Sequence, residues 1–372
     1  MNKKKLVLIG TSACLALFLS VGIAGANLNN VLQKHLSGDE VVLQNNIKKL
    51  SVEQLINEIE SVAATVGNPS TFAKNSNAGA NDINTLIPFV SELFERKDQI
   101  PDKDILKVVS DDTKSVITRE ALVDLYVLKH EGNKGGEELK QILLQDEINS
   151  QVKSRIVATT DFTSDDVGLL KEIIQQDDDI LAFNGLKRLS NINVSEAYEI
   201  SKNILSNVQE QSSNRISAAL RATAKYLHNS GHTNLQKNSS NLEGSFIETS
   251  FNIMKSSNDE VLKDSAVFAI SEVGSQNAIT QIINSDLIEK ELKAFAIDQN
   301  FIVLKEMLTE NPTKEDIEIV VSALEILPIT DLVEPLTELI PHIGDVELKK
   351  RIDKVIVLAK EEGISANHKW DK

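Results

Sequence analysis

Apolar residues recur along this chain in steps of three and four, and the sets they form restart every thirty or so residues. Ile216, Leu220, Ala224 and Leu227 make one set, and Leu262, Ala266, Ala269 and Val273 a second. Ile317, Val321 and Leu324 make a third; Leu348, Ile352, Val355 and Ala359 make a fourth. Such spacing gathers each set on one face of an α-helix. Taking Ile117, Val152, Ala182, Ile216, Leu262, Leu292, Ile317 and Leu348 as equivalent positions gives intervals of 35, 30, 34, 46, 30, 25 and 31 residues. A loose recurrence of helix pairs predicts a repeat architecture, in which each unit buries its apolar face against its neighbours. Strand patterns are scarce, and Asn184-Gly185 sits between residues spaced as a helix. The fold expected is therefore all-α, a right-handed α-solenoid of stacked antiparallel helix pairs.

Caps and breakers place the individual helices. Ser51 and Gln54 form a capping box ahead of Leu55, Ile56, Ile59 and Val62, and Asn68-Pro69-Ser70 stops that helix. Residues 74–82 read as a linker. Helices are then expected over 83–97 despite Pro88, in a short piece opened by Pro101, and over 116–129, where Gly132 and Gly135-Gly136 close the run. Next come 139–144, 152–159 with Ser150 as cap, 167–174, and a helix carrying Ala182, Leu186 and Leu189. Gly185 inside that last helix costs about 1 kcal/mol against Ala. Residues 197–208, 216–227 and 242–254 follow, then helices from Leu262, Ile279, Leu292, Ile317, Leu332 and Leu348. The long interval contains a polar insertion, His228 to Ser240, expected to be an exposed loop and the preferred place for partner contact. The chain divides into a signal peptide (1–26), an N-terminal helical and linker segment (27–82), the repeat array (83–363) and a polar tail (364–372).

The run from Asp331 to Ile340, with Pro335-Leu336, leads through Gly344-Asp345 into Leu348-Lys349-Lys350-Arg351. This resembles a HEAT-repeat junction, in which a Pro-Leu-hydrophobic helix passes by a short Asp-containing turn into the next helix. Asn258-Asp259-Glu260-Val261-Leu262 resembles the same Asp-initiated helix, and Ala266 and Ala269 correspond to the family's small residues. The similarity covers roughly 255–360 and is degenerate over 83–230. HEAT-like arrays commonly act as scaffolds and adaptors, so the resemblance implies a binding role and names no ligand.

Composition changes the picture at the N-terminus. Lys3, Lys4 and Lys5 precede an apolar stretch, and Ala24-Gly25-Ala26 supplies the small residues of a cleavage site. Cleavage after Ala26 is the expectation, with export across the cytoplasmic membrane to a periplasmic, cell-surface or extracellular location. The alternative is a membrane anchor through residues 6–26. A lipoprotein site at Cys14 fits less well, because much of the apolar core follows the cysteine. Cys14 is the only cysteine, so the cleaved chain would have no disulfide, thiolate metal site or cysteine nucleophile. Cleavage would also move the formal net charge from −16 to about −19. Such acidity disfavours nucleic acid and anionic lipid, and long-range steering favours a cationic partner.

Several groupings were weighed for chemistry. His228 and His232 lie four apart but belong to no His-Glu-x-x-His pattern, and a histidine near a helix end complements the dipole. Asp177-Asp178-Asp179, with Asp161, Asp165 and Asp166, lacks the ligand order of a calcium loop and suits helix capping. Ser150 and Lys153 form a Ser-x-x-Lys match without its companion motifs. Lys187-Arg188 and Lys349-Lys350-Arg351 read as solvated helix faces. Trp370 in the tail offers an anchor residue for docking, though tails are commonly without a role. No residue is assigned as catalytic, cofactor-binding or metal-ligating, and no cofactor is expected. The function expected is an exported, non-enzymatic interaction or scaffold protein that binds a protein or peptide, without stable membrane insertion after cleavage. A hydrolase or lyase built from dispersed acids and histidines, and a structural envelope component, are the alternatives. A groove gathering several titratable groups with strongly shifted pKa values would favour the enzyme; one lined by ordinary polar side chains would favour the binder.

Overall fold

The computed structural model describes residues 46–66, 79–130, 136–232, 239–309 and 311–365. The expected signal peptide, the Asn68-Pro69-Ser70 stop, residues 233–238 of the polar insertion and residues 366–372 of the tail, Trp370 among them, lie outside the described residues. Eighteen α-helices follow one another among the described residues. They are α1 (Val52–Val66), α2 (Gly79–Glu95), α3 (Asp102–Ser110), α4 (Val116–Lys129), α5 (Glu137–Leu143) and α6 (Ser150–Thr159). Then come α7 (Val167–Gln175), α8 (Asp179–Ile192), α9 (Val194–Ser206), α10 (Ser213–His232), α11 (Ser239–Ser256) and α12 (Glu260–Val273). The series ends with α13 (Gln276–Asn284), α14 (Lys290–Gln299), α15 (Phe301–Glu306), α16 (Lys314–Ile326), α17 (Val333–Leu339) and α18 (Val346–Glu362). Among the described residues there is no β-strand, only one isolated parallel bridge between Ile329 and Ile364. The chain is all-α. All eight equivalent positions, from Ile117 to Leu348, fall on even-numbered helices.

The helices group into two compact units, one of residues 1–166 and 175–185, the other of 167–174 and 186–372. In the first unit α4 is the hub, packed against α1, α2, α3 and α6. It is buried on nearly every side, from Thr118 to Tyr126. That burial includes charge. The Arg119 guanidinium donates to the Val109 carbonyl at 2.7 Å, satisfying an end of α3 that has no partner within its own helix. The loop beyond α2 is tied in the same manner, with Arg96 donating to the Lys48 and Leu50 carbonyls at 2.7 and 2.5 Å.

In the second unit the even-numbered helices pack in succession, α10 on α12, α12 on α14, α14 on α16 and α16 on α18. Odd-numbered helices join them: α9 and α11 on α10, α11 and α13 on α12, and α17 on α18. Every residue of the four apolar sets is buried, and most of them belong to one continuous core running from Ile216 to Ile356. One buried amide is paired across helices. Asn300, between α14 and α15, donates to the Ser271 carbonyl and hydroxyl on α12 at 3.1 and 2.9 Å. The capping residues carry out their expected chemistry. Asp259 and Asp345 accept from the first amides of α12 and α18, and Ser51 and Gln54 exchange hydrogen bonds at 2.7 and 3.1 Å.

Boundaries differ from expectation at five places. α2 begins at Gly79, so residues 79–82 of the expected linker are helical. Ala80 and Asp82 suit a first turn, and the flanking Asn and Gly residues hid it. Asn149 and not Ser150 caps α6, its side chain accepting from the Gln151 amide at 2.9 Å. α10 runs to His232 and α11 starts at Ser239, so the described ends of the polar insertion, 228–232 and 239–240, are helical. Residues 197–208 end as helix at Ser206, with a short 3-10 turn beyond. α15 was not anticipated, because Asn300 both ends α14 and opens α15 within an apolar run.

Candidate functional site

An open concavity lies in the second unit between α11 and α13, both of which pack on α12. The two helices anchor themselves by different residues. α11 buries Phe246, Ile247, Ile253 and Met254, while α13 buries Ala278, Ile279, Ile282 and Ile283. Ile247 together with residues on their other faces lines an open groove of about 530 Å³. From α11 come Gly244, Glu248, Phe251, Asn252 and Lys255, spaced so that all share one face. From α13 come Asn277, Gln281 and Asn284, at i, i+4 and i+7. Leu287, 52% exposed, closes one end.

The chemistry of this groove is that of the carboxamide. Each Asn or Gln side chain carries two N–H donors and a carbonyl acceptor, the complement of a peptide unit. Asn277 donates to Glu243 at 3.1 Å, and the Ser275 hydroxyl donates to the same carboxylate oxygen at 2.6 Å. The side chains of Asn252, Gln281 and Asn284 make no hydrogen bond among the described residues. Seven helical residues rise about 10 Å, so Asn277, Gln281 and Asn284 span roughly the length of three extended residues. Phe251 and Leu287 add apolar surface beside them. Two titratable side chains, Glu248 and Lys255, border the groove, and it contains no histidine.

The first unit holds the most perturbed acid. Glu120 on α4 is half-buried and its carboxyl is pushed up to about 7, chiefly by burial, with the Arg155 charge opposing and Asp124 adding to it. Arg155 on α6 donates to both Asp124 oxygens at 2.6 and 2.5 Å, and this pair is buried. Burial raises Asp124 while Arg155 pulls it down. Among the described residues no group of acids, histidines and cysteine is arranged to hold a metal ion.

The residues singled out by sequence are dispersed. His228 lies inside α10, four residues before its end, and its Nδ1–H donates to the Val273 carbonyl at 3.2 Å. It therefore serves the last carbonyl of α12 and not its own helix end, as expected. Asp178 accepts from the Ile180 and Leu181 amides at 3.0 and 2.8 Å, the capping role expected of it. Asp166 instead takes Lys140 at 2.9 Å and the Thr163 amide at 2.7 Å, a turn fastened by an ion pair. Arg351 bridges α18 to α16 through Glu325 at 2.9 Å and Ser322 at 3.0 Å, and Lys350 pairs with Glu347 at 2.7 Å. Lys187 and Arg188 on α8 lie near Arg221 of α10, an association that no local motif carries. The amide row of α13 was also missed: Asn, Gln and Asn on an exposed helix face look like any solvated surface.

No protein-family model matches the chain, and no curated protein sequence matches it either. Among the described residues no helix is long and apolar enough to cross a membrane.

Proposed function

We propose that this chain is an exported, non-enzymatic interaction protein of HEAT-like solenoid organisation, and that it holds an extended segment of a protein partner in the α11–α13 groove. The observation that carries the reading is the row Asn277, Gln281 and Asn284 facing Phe251 and Asn252 across an open groove. Side-chain amides in a row recognise the peptide backbone whatever its sequence, while the flanking apolar surface selects for one or two side chains. The succession of even-numbered helices, each carrying one of the equivalent repeat positions, supports the solenoid organisation. A groove bordered by amides and only two titratable groups favours binding over proton transfer.

The test is selection from a random peptide library against the full chain, with binding of the enriched peptides measured by fluorescence anisotropy. Peptides that bind through this groove lose most of their affinity in Gln281→Ala/Asn284→Ala. Their affinity falls less in Asn277→Ala, whose amide is already engaged by Glu243. Failure to enrich any peptide, or enrichment of peptides indifferent to Gln281 and Asn284, overturns the reading.

A further inference from the structure

A second surface of the same unit has the opposite character to the chain as a whole. The protein carries a formal net charge of −16, yet Lys187 and Arg188 of α8 and Arg221 and Lys225 of α10 gather on neighbouring helices. The spacing explains the gathering. Lys187 and Asn191 are i, i+4 on α8, and Arg221, Lys225 and His228 are i, i+4 and i+7 on α10. The Lys225 ammonium donates to the Asn191 carbonyl at 2.5 Å, joining the two rows. Lys187 and Arg221 are exposed, and neither side chain makes a hydrogen bond or an ion pair among the described residues.

We propose that Lys187, Arg221 and Lys225, with Arg188 beside them, receive an acidic polypeptide segment of a partner. Like charges held together repel, and an arriving carboxylate relieves that repulsion while gaining charge-assisted hydrogen bonds. Two features show that the cluster is incompletely compensated. Burial holds the Lys187 ammonium below its ordinary pKa, with Arg221 and Arg188 adding to the effect. Glu272 of α12, a carboxylate set against Arg221, Lys225 and His228, makes no ion pair among the described residues, and desolvation raises its pKa despite those cations.

The same geometry selects the class of anion. The rows span about 6 Å on α8 and about 10 Å on α10 and meet where Lys225 reaches Asn191, which suits two or three carboxylates of a short acidic stretch. A long polyanion such as nucleic acid or an anionic membrane would meet the acidic remainder of the surface beyond these few cations. Glu272 limits the site on the α12 side, so it acts against an additional carboxylate there. This surface rests on the interaction-protein reading but not on the amide groove.

The experiment is fluorescence anisotropy of a labelled hexaglutamate peptide with the full chain, beside hexalysine, inorganic phosphate and a ten-nucleotide single-stranded DNA. Hexaglutamate is expected to bind saturably and to weaken as salt rises from about 50 to about 200 mM. Lys187→Gln/Arg221→Gln should weaken it by about ten-fold or more, while Lys187→Arg and Arg221→Lys, which keep the charge, retain it. Glu272→Gln should tighten binding, and Gln281→Ala should leave it unchanged, which separates this surface from the groove. The proposal is overturned if hexaglutamate does not bind or binds regardless of Lys187 and Arg221. It is equally overturned if the oligonucleotide binds as tightly, or if phosphate at comparable concentration displaces the peptide.

Discussion

Glu120 offers the sharpest test of how this fold handles charge. Its carboxyl is raised from 4.5 to about 7 in the folded chain, mainly because α4 is buried on most sides. An acid whose folded pKa is raised contributes stability below its unfolded pKa, and this is lost as pH rises through the folded value. The relevant window is therefore pH 4.5 to about 7. A shift of this size corresponds to roughly 3 kcal/mol, and partial contact with water reduces it to about 1–3 kcal/mol. Glu120→Gln keeps the shape and removes the titration. Urea unfolding followed by circular dichroism at pH 4, 5, 6, 7 and 8 should give nearly equal midpoints for variant and parent at pH 4. At pH 8 the variant should be more stable by about 1–3 kcal/mol. Groups that do not act on Glu120 cancel in that difference, including Asp102, whose pKa is lowered by Lys129 and His130 and whose contribution is lost only in acid. A difference that is flat with pH, or that shrinks as pH rises, would refute the argument.

Three further outcomes are expected. Asp124→Ala strands the buried Arg155 guanidinium and should cost about 3–5 kcal/mol by urea unfolding, whereas replacing both residues by apolar ones recovers much of the loss. Ala266→Leu or Ala269→Leu should overpack the fully buried face of α12 and cost about 1–3 kcal/mol; an unchanged melting temperature would mean that the helices have room there. Gly274, at φ 69°, ends α12 in the left-handed region, and an added Cβ would lie 3.0 Å from His228 Nδ1. Gly274→Ala should therefore cost about 1–2 kcal/mol, and less in a His228→Ala background, where the contact is relieved and the backbone strain remains.

Much of the fold was legible because burial leaves a periodic trace. The sets beginning at Ile216, Leu262, Ile317 and Leu348 all lie in the core, since a helix packed on one side must repeat its apolar residues every three or four positions. The trace fails where a helix is covered on most sides or on few. α4 buries Arg119 and Asp124 alongside Leu122 and Leu125, so charge and apolar residues alternate without a clean face. The end of α10 has the opposite problem. Asn229, Ser230 and Gly231 look like a loop, yet the helix continues to His232, and the Ser230 hydroxyl donates to the Tyr226 carbonyl at 2.7 Å. A deletion of 229–239 would thus remove a helical turn and cannot be expected to leave the fold untouched.

The surfaces proposed for binding left almost no trace, for a physical reason. Core residues are constrained by contact with one another, whereas Gln281 and Asn284 lie on the exposed face of α13 and take no part in that packing. The charge cluster is hidden differently. Net charge, a sum over the chain, points to cationic partners, while the field felt at contact is set within a Debye length of about 10 Å. Within that distance Lys187 meets Arg188 and Arg221, and the acids elsewhere on the surface are largely screened. Lys187-Arg188 reads as a short solvated run because its other half, Arg221 and Lys225, is more than thirty residues away in sequence. The Lys225–Asn191 hydrogen bond sets two unremarkable pairs side by side, and this is why partner chemistry has to be read from helix juxtaposition and not from composition.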